Sequence, residues 1–252
     1  MRYSANLNII IKAIEKATNH ISRDFVELEN LQSNPVSSTK FTNSCYNRVK
    51  QILIEDFTKF RPEFNIVFSD GQKIINQENS EYTLLIHAID GIENLLRASP
   101  DFTVSIALIY KKNNKEEATC VAISKIIGGE LFYCEKGFGA YLNNRRIRIS
   151  QRQKTAKNTF LIAGENFSQL NKEFLKNNEL ATKDLQSKSN NYQSNIQYRS
   201  LGCKTLEIAY FASARVEKII HNNSKSYEPF LLLAKEAGGR IQENDDCYIV
   251  SA

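Results

Sequence analysis

The chain has no CxxC pair: its cysteines, Cys45, Cys120, Cys134, Cys203 and Cys247, are scattered and odd in number. That spacing argues against a structural zinc site and reads as reduced core thiols of a cytosolic protein. A long hydrophobic run is lacking too. The opening segment, MRYSANLNIIIKAIEK, is too short and too interrupted by charge for a signal peptide or a membrane span, and no other segment approaches one. A cytoplasmic location is therefore expected. Charge of one sign is also missing. The 33 Lys and Arg against 28 Asp and Glu leave a formal charge of +5, compatible with anionic small molecules and without the footprint of a nucleic-acid binder. No internal repeat or low-complexity tract occurs. What remains is ordinary globular material, 252 residues with 42% hydrophobic and 24% charged, enough for one large domain or two small ones.

Leu7, Ile10, Ile14, Ala17, Ile21, Phe25 and Leu28 recur at helical spacing, which predicts one amphipathic helix over about 5–29. A polar connector, QSNPVSSTKFTNS, is expected next, then a helix over about 45–60 stopped by Arg61-Pro62. Strand signals follow in FNIVF, YTLLIHAI, FTVSIALIY, TCVAISKII and ELFYCE. GFGAYLNNRRIRIS reads as a hairpin turning at Asn143-Asn144. Residues 151–200 are polar and allow a helix and then a loop. After them come a helix at Leu206 to Arg215, a short strand VEKII, a helix from Pro229 to Ala237 closed by Gly238-Gly239, and a final strand CYIVS. The order is α, then mostly β, then alternating, as in a layered α/β fold.

One stretch asks a chemical question. YTLLIHAIDGIEN delivers an imidazole, His87, and a carboxylate, Asp90, to the end of a strand, just before a glycine that opens a new element. With RDFVELENLQ, RVKQILIEDFTKFRPEFNIVF, EKGFGAYLNNRRIRIS, RSLGCKTLEIAYFASARVE and LLLAKEAGGRI, in this order and spacing, it resembles the inositol monophosphatase family, particularly its bacterial extragenic-suppressor branch. The resemblance covers nearly the whole chain except about 151–195. It implies a layered αβαβα sandwich of the inositol monophosphatase and sugar phosphatase type, one domain over 1–252 with two sub-lobes at about 1–150 and 151–252. It also implies homodimers and Mg²⁺-dependent hydrolysis of inositol or sugar monophosphates. Metals held by carboxylates neutralise the phosphate and lower the pKa of the attacking water. Members of the branch also associate with the transcription machinery. In the family a strand like CYIVS is usually followed by a terminal helix, so the C-terminal element is expected to be shortened.

Carried over residue by residue, the family site departs from its pattern. The paired glutamates fall on Ser69 and Asp70, or in another alignment on Gln77 and Glu78. The signature's first Asp is His87 and its Pro is Ala88. Ile89, Asp90, Gly91 and Asn94 are kept, while the water-positioning Thr is Ile92. The upstream Lys and Asp become Val36 and Tyr46. The Asp before the last helix falls on Ser226, or on Glu228 if counted from the upstream strand. His221 stands in place of a substrate-contacting Glu, with Glu217 nearby, so Gly91, Ile92 and His221 are the expected substrate contacts. The expected metal set is Asp90, the Ile89 carbonyl, His87 and Glu228, with Ser226 as the alternative to Glu228. One firmly retained carboxylate holds Mg²⁺ weakly, and an imidazole suits Zn²⁺ or Mn²⁺ better.

Plainer roles compete with each of these. His87 could be a hydrogen-bonded structural residue, Asp90 could cap the helix that starts at Gly91, and Cys45 and Cys203 read as small core residues. Lys40, Lys204, Lys225, Arg146 and Arg148 either line an anion pocket or are simply solvated. The expectation is a family member impaired or inactive in catalysis. The rivals are an active phosphatase rebuilt on Asp90, Asp70, His87 and Glu228, and a non-catalytic partner of the transcription machinery.

Overall fold

A computed structural model of the chain describes residues 4–113, 115–152, 160–164, 196–243 and 247–251. Two helices open it, α1 (Ala5–Thr18) and α2 (Ile21–Asn30), where the periodicity predicts one. The stripe Ile10, Ile14, Ala17, Ile21 and Leu28 is buried throughout. The break falls where the Thr18 hydroxyl donates back to the Ile14 carbonyl at 2.8 Å, a local bond that competes with helix propagation.

A larger correction concerns the expected connector. Residues Pro35–Phe60 form one 26-residue helix, α3. Asn34 supplies its N-cap, its side chain accepting from the Ser37 amide at 3.2 Å. Pro35 sits in the first turn, where its missing N–H costs nothing. The Asn-Pro pair therefore starts a helix and does not mark a loop. Ser38, Thr42, Cys45, Val49, Lys50, Leu53 and Phe57 form its buried face.

An eight-stranded sheet follows: β1 (Phe64–Phe68), β2 (Lys73–Ile74), β3 (Tyr82–Asp90), β4 (Thr103–Lys112), β5 (Lys115–Lys125), β6 (Glu130–Glu135), β7 (Gly139–Leu142) and β8 (Arg145–Ile147), in the order β2-β1-β3-β4-β5-β6-β7-β8. The β1–β3 pair is parallel, and every other pairing in this sheet is antiparallel. A short helix, α4 (Ile92–Leu96), leaves the end of β3. The predicted hairpin is present: Leu142 pairs with Arg145, and Asn143 and Asn144 both take positive φ, as a two-residue primed turn requires.

The second sheet has five strands, β9 (Phe160–Gly164), β10 (Ile196–Arg199), β11 (Lys218–Asn222), β12 (Arg240–Glu243) and β13 (Cys247–Ser251), in the order β10-β9-β11-β13-β12. Helices α5 (Lys204–Ala212) and α6 (Leu231–Glu236), the latter entered through a 3₁₀ turn at Glu228–Phe230, belong to the same half of the chain.

Alternation along the strands sorts the layers. Leu84, Ile86, Ile106 and Leu108 pack on the α1–α3 side, in one core cluster with Ile10, Ile14, Val49 and Phe57. Leu85, Ala107, Val121 and Phe132 face the other way. They meet Ile208 and Phe211 of α5, Leu231 and Leu233 of α6, and Ile219 and Val250 of the second sheet. The order is thus helices, sheet, helices, sheet. The helix considered within 151–200 lies mostly outside the described residues.

Removing the α3 cap tests this account of the helix start. Asn34→Ala is expected to lower unfolding stability by about 1 kcal/mol, read as a shift in urea midpoint. An unchanged midpoint would show that the first turn owes nothing to the side chain.

Candidate functional site around Asp90

The last pairs of β3 with β4 are irregular: the register shifts between His87 and Asp90. Such bulges re-aim side chains at strand ends, and Asp90 sits at this one, buried against the start of α5. Gly91 follows with φ 78°, and a Cβ there would lie 3.0 Å from both the Asp101 carbonyl oxygen and Cys203 Cβ. Only glycine takes that conformation in that space without strain. Asn94 clamps the turn, its Nδ2 donating to the carbonyls of Asp101 at 2.6 Å and Leu201 at 2.7 Å.

Both oxygens of the Asp90 carboxylate accept hydrogen bonds. Its Oδ2 accepts from the Thr205 amide at 2.8 Å, the Thr205 hydroxyl at 2.7 Å and the Cys203 thiol at 3.4 Å. Its Oδ1 accepts from the Tyr227 hydroxyl at 2.9 Å. Burial first, and then the Asp90 charge, push the Cys203 thiol well up, so the sulfur keeps its proton and acts as a donor. Behind Thr205 lies a fully buried hydroxyl cluster. Thr103 Oγ1 is 2.6 Å from Thr205 Oγ1 and 3.0 Å from Ser105 Oγ, and Ser105 reaches Thr205 at 3.1 Å. Asp90 therefore caps a helix, but not the expected one. α4 has no side-chain cap at Gly91, whereas Asp90 accepts from the first-turn amide of α5 at Thr205 and complements that helix's positive end.

His87 points into the helical layer beyond Asp90. Its Nε2 lies 2.8 Å from the Ser226 carbonyl. Since a carbonyl only accepts, Nε2 carries the proton. The ring stacks on Tyr227 at 4.4 Å between centroids and meets Phe230 edge-on at 5.2 Å. Burial, reinforced by nearby Lys204, lowers its pKa against the opposing pull of Asp90 and the Ser226 bond. Lys204 Nζ lies over the Tyr227 ring at 4.7 Å.

The other expected site residues sit apart from this network. Asp70 is exposed and accepts from Lys50 Nζ at 2.5 Å and from the Tyr46 hydroxyl at 2.9 Å on one oxygen, and from the Gln72 amide at 3.1 Å on the other. Burial works to raise its pKa, but Lys50 and the other donors outweigh that and hold the carboxyl below its usual range. Lys50, one turn beyond Tyr46 on α3, is buried, with its ammonium over the Phe68 ring at 4.6 Å. Ser69 is exposed, and its amide donates to the Ile86 carbonyl at 2.9 Å. Gln77 and Glu78 are exposed. The Ser226 hydroxyl pairs with Ser224 at 2.9 Å. Glu228 is exposed at the start of the 3₁₀ turn. Ile89 is buried and Ile92 half-buried.

His221 does not reach a cleft either. It is fully buried, its Nε2 paired with the Glu207 carboxylate and its Nδ1 2.9 Å from the Tyr248 hydroxyl. The reason is strand parity: it lies on β11 with its side chain turned inward toward α5. Glu217 is buried as well, bound to Ser150 and Arg152.

Sequence reasoning did not single out Tyr227, Thr205, Thr103, Ser105 or Lys50. A signal existed for two of them. Thr103 and Ser105 are polar at alternate positions of an otherwise apolar strand, which places both hydroxyls on one buried face.

Comparisons with known proteins bear on this arrangement. Residues 2–248 match the family model described as "Inositol monophosphatase family". The chain belongs to the inositol monophosphatase family. It is 26% identical over 247 residues to an inositol-1-monophosphatase of Mesorhizobium japonicum, covering 97% of this chain and 88% of that one. It is 28% identical over 239 residues to a Nus factor SuhB of Vibrio cholerae, covering 94% and 84%. Among solved structures, the extragenic suppressor protein SuhB of Bartonella henselae matches with a TM-score of 0.75 at 23% identity, covering 98% of this chain and 94% of that one. An inositol monophosphatase of Anabaena matches at 0.67 and 21% identity, covering 98% and 92%. The fold is that of the family's solved members.

The family's metal does not fit these residues. Three donors already converge on Oδ2 of Asp90 and one on Oδ1, so a cation held by this carboxylate competes with protein donors on both oxygens. Mg²⁺ requires hard oxygen ligands in near-octahedral array. Among the described residues no group of three or more His, Cys, Asp or Glu is placed to hold a metal ion.

Two substitutions probe the site as built. Asp90→Asn removes an acceptor from Thr205 or Tyr227 and is expected to cost about 1–3 kcal/mol of unfolding stability; a neutral effect would mean the network carries no weight. For His87 the folded pKa lies below the free value of 6.5. The unfolded chain therefore takes the proton first on acidification. Its contribution is complete above that value and is lost as pH falls below it. The urea midpoint should fall more steeply with acid in the parent than in His87→Gln, and parallel profiles would contradict this.

Proposed function

We propose that this chain is an inositol monophosphatase-family protein impaired in the family's metal-dependent hydrolysis, its former chemical centre turned into a structural hydrogen-bond node. One observation carries the reading: both oxygens of Asp90 are taken by Thr205, Cys203 and Tyr227. A carboxylate that caps a helix and anchors a hydroxyl cluster is not free to hold the cation that would neutralise a phosphate. The residues around it point the same way. No hydroxyl stands at Ile92 to orient a water, and Ser69 and Ser226 are neutral where carboxylates would supply charge. The rebuilt-phosphatase alternative has less support. Its Asp70 is engaged by Lys50 and Tyr46, its His87 proton faces the Ser226 carbonyl, and its Glu228 is exposed. Neither Mg²⁺ nor Zn²⁺ nor Mn²⁺ is required by this reading.

A second reading has its own support. Several relatives of similar identity bear the name Nus factor SuhB, and a role in a transcription complex needs the fold but not the metal. On this reading the chain works as a homodimer with a protein partner. Among the described residues no helix is long and apolar enough to cross a membrane.

The assay is direct. Inositol 1-phosphate with Mg²⁺ should release no more phosphate than a metal-free control, and Mg²⁺ should leave the Tm unmoved. A ligand bound at a hundred times its Kd would stabilise the fold by about 2.7 kcal/mol. Phosphate release that is Mg²⁺-dependent and abolished in Asp90→Asn would refute the impaired reading.

A further inference from the structure

The far edge of the eight-stranded sheet carries a cleft that neither the metal question nor the family signature uses. Its volume is about 330 Å³, and it is lined by Arg146, Arg148, Ile149, Gln151, Glu236 and the Ala237–Gly238 backbone. Arg146 lies on the edge strand β8 and Arg148 just past its end, and both line the cleft. Both are exposed, and no ion pair to either occurs among the described residues.

The one acid in the cleft is already satisfied. Glu236 accepts from the Gly137 amide at 2.8 Å and the Gly139 amide at 2.7 Å. Those bonds pin the β6–β7 turn to the end of α6 and hold Phe138 out at its tip. Phe138 is 69% exposed, more than any other large apolar side chain described. Arg146 packs over the same turn, with its Nε 3.0 Å from where a Gly139 Cβ would be. Two guanidinium groups with no ion pair among the described residues, an apolar floor at Ile149 and Ala237, and a presented aromatic ring thus lie on one edge of the sheet.

We propose that this edge is a docking surface for an acidic segment of a partner protein. Arg146 and Arg148 would take carboxylates by paired N–H donation, and Phe138 would contact an apolar side chain between them. Charge complementarity selects the occupant, because guanidinium forks match carboxylates in planar pairs. Arginine and aromatic residues are also the types that most often dominate binding at such surfaces. A charged strand edge alone would only discourage sheet-to-sheet pairing. The cleft beneath these arginines and the ring beside them supply what an edge guard lacks. The proposal is independent of whether the Asp90 centre retains catalysis.

The test uses the full chain and a fluorescein-labelled peptide of alternating glutamate and leucine, with binding read by anisotropy. Arg146→Glu with Arg148→Glu should weaken binding at least ~10-fold, and Phe138→Ala by ~3-fold or more. Lys12→Glu with Lys115→Glu, the same change in net charge elsewhere, should leave it within ~2-fold. Equal losses in the two charge-reversed variants would reduce the effect to net charge and overturn the proposal. So would tighter binding of a single-stranded oligonucleotide that is lost in the same arginine variant. A dimer seen in sedimentation and dissolved by the arginine substitutions would assign the face to a second copy of the chain, and would equally overturn it.

Discussion

One buried carboxylate organises the junction between the two halves of this protein. Asp90 comes from the first sheet, Thr205 and Cys203 from the start of α5, and Tyr227 from the loop before α6. The four donors that meet on Asp90 join three segments far apart in sequence. A buried charge is tolerated only when hydrogen bonds replace the water it has lost, and here three donors reach Oδ2 and one reaches Oδ1. The hydroxyls of Thr103 and Ser105 extend the network into the sheet. Such a network favours one packing of sheet against helix, since any slip would leave buried polar groups unpaired.

In a phosphatase of this family a divalent cation would supply the positive charge at such a turn. Here protein donors reach both oxygens of that carboxylate. At Asp70 the partner is a cation of the protein itself, where Lys50 extends from α3 between the rings of Phe68 and Tyr46. Asp70 is thus paired with a cation of the protein's own, and Asp90 with uncharged donors. On the proposed reading, stability and hydrolysis make opposite demands on Asp90, because the donors that secure the fold compete with a metal for its oxygens.

Much of the architecture was legible in the sequence, for reasons that can be named. The strands FNIVF, YTLLIHAI and CYIVS follow from period-two or continuous apolar runs, and the Asn143-Asn144 turn from the positive φ that asparagine tolerates. The connector around Pro35 was misread because proline breaks a helix interior but suits a first turn, and only the Asn34 cap decides which applies. The single predicted helix over 5–29 became two because an apolar stripe can continue across a local break at Thr18. Periodicity reports which face is buried, not whether the backbone is continuous.

The sequence by itself determined the family and the layered fold, since these are properties of residue type and order, and the resemblance set Ser69 or Gln77, His87, and Ser226 or Glu228 at positions where the family carries acids. Only the tertiary structure decided what replaced them. That Asp90 caps α5 and not α4, that Tyr227 closes its second oxygen, and that His221 turns inward to Glu207 all depend on side chains more than ten residues apart. Hydrogen bonds form between atoms within about 3 Å, and which atoms come that close is set by packing across layers, not by spacing along the chain.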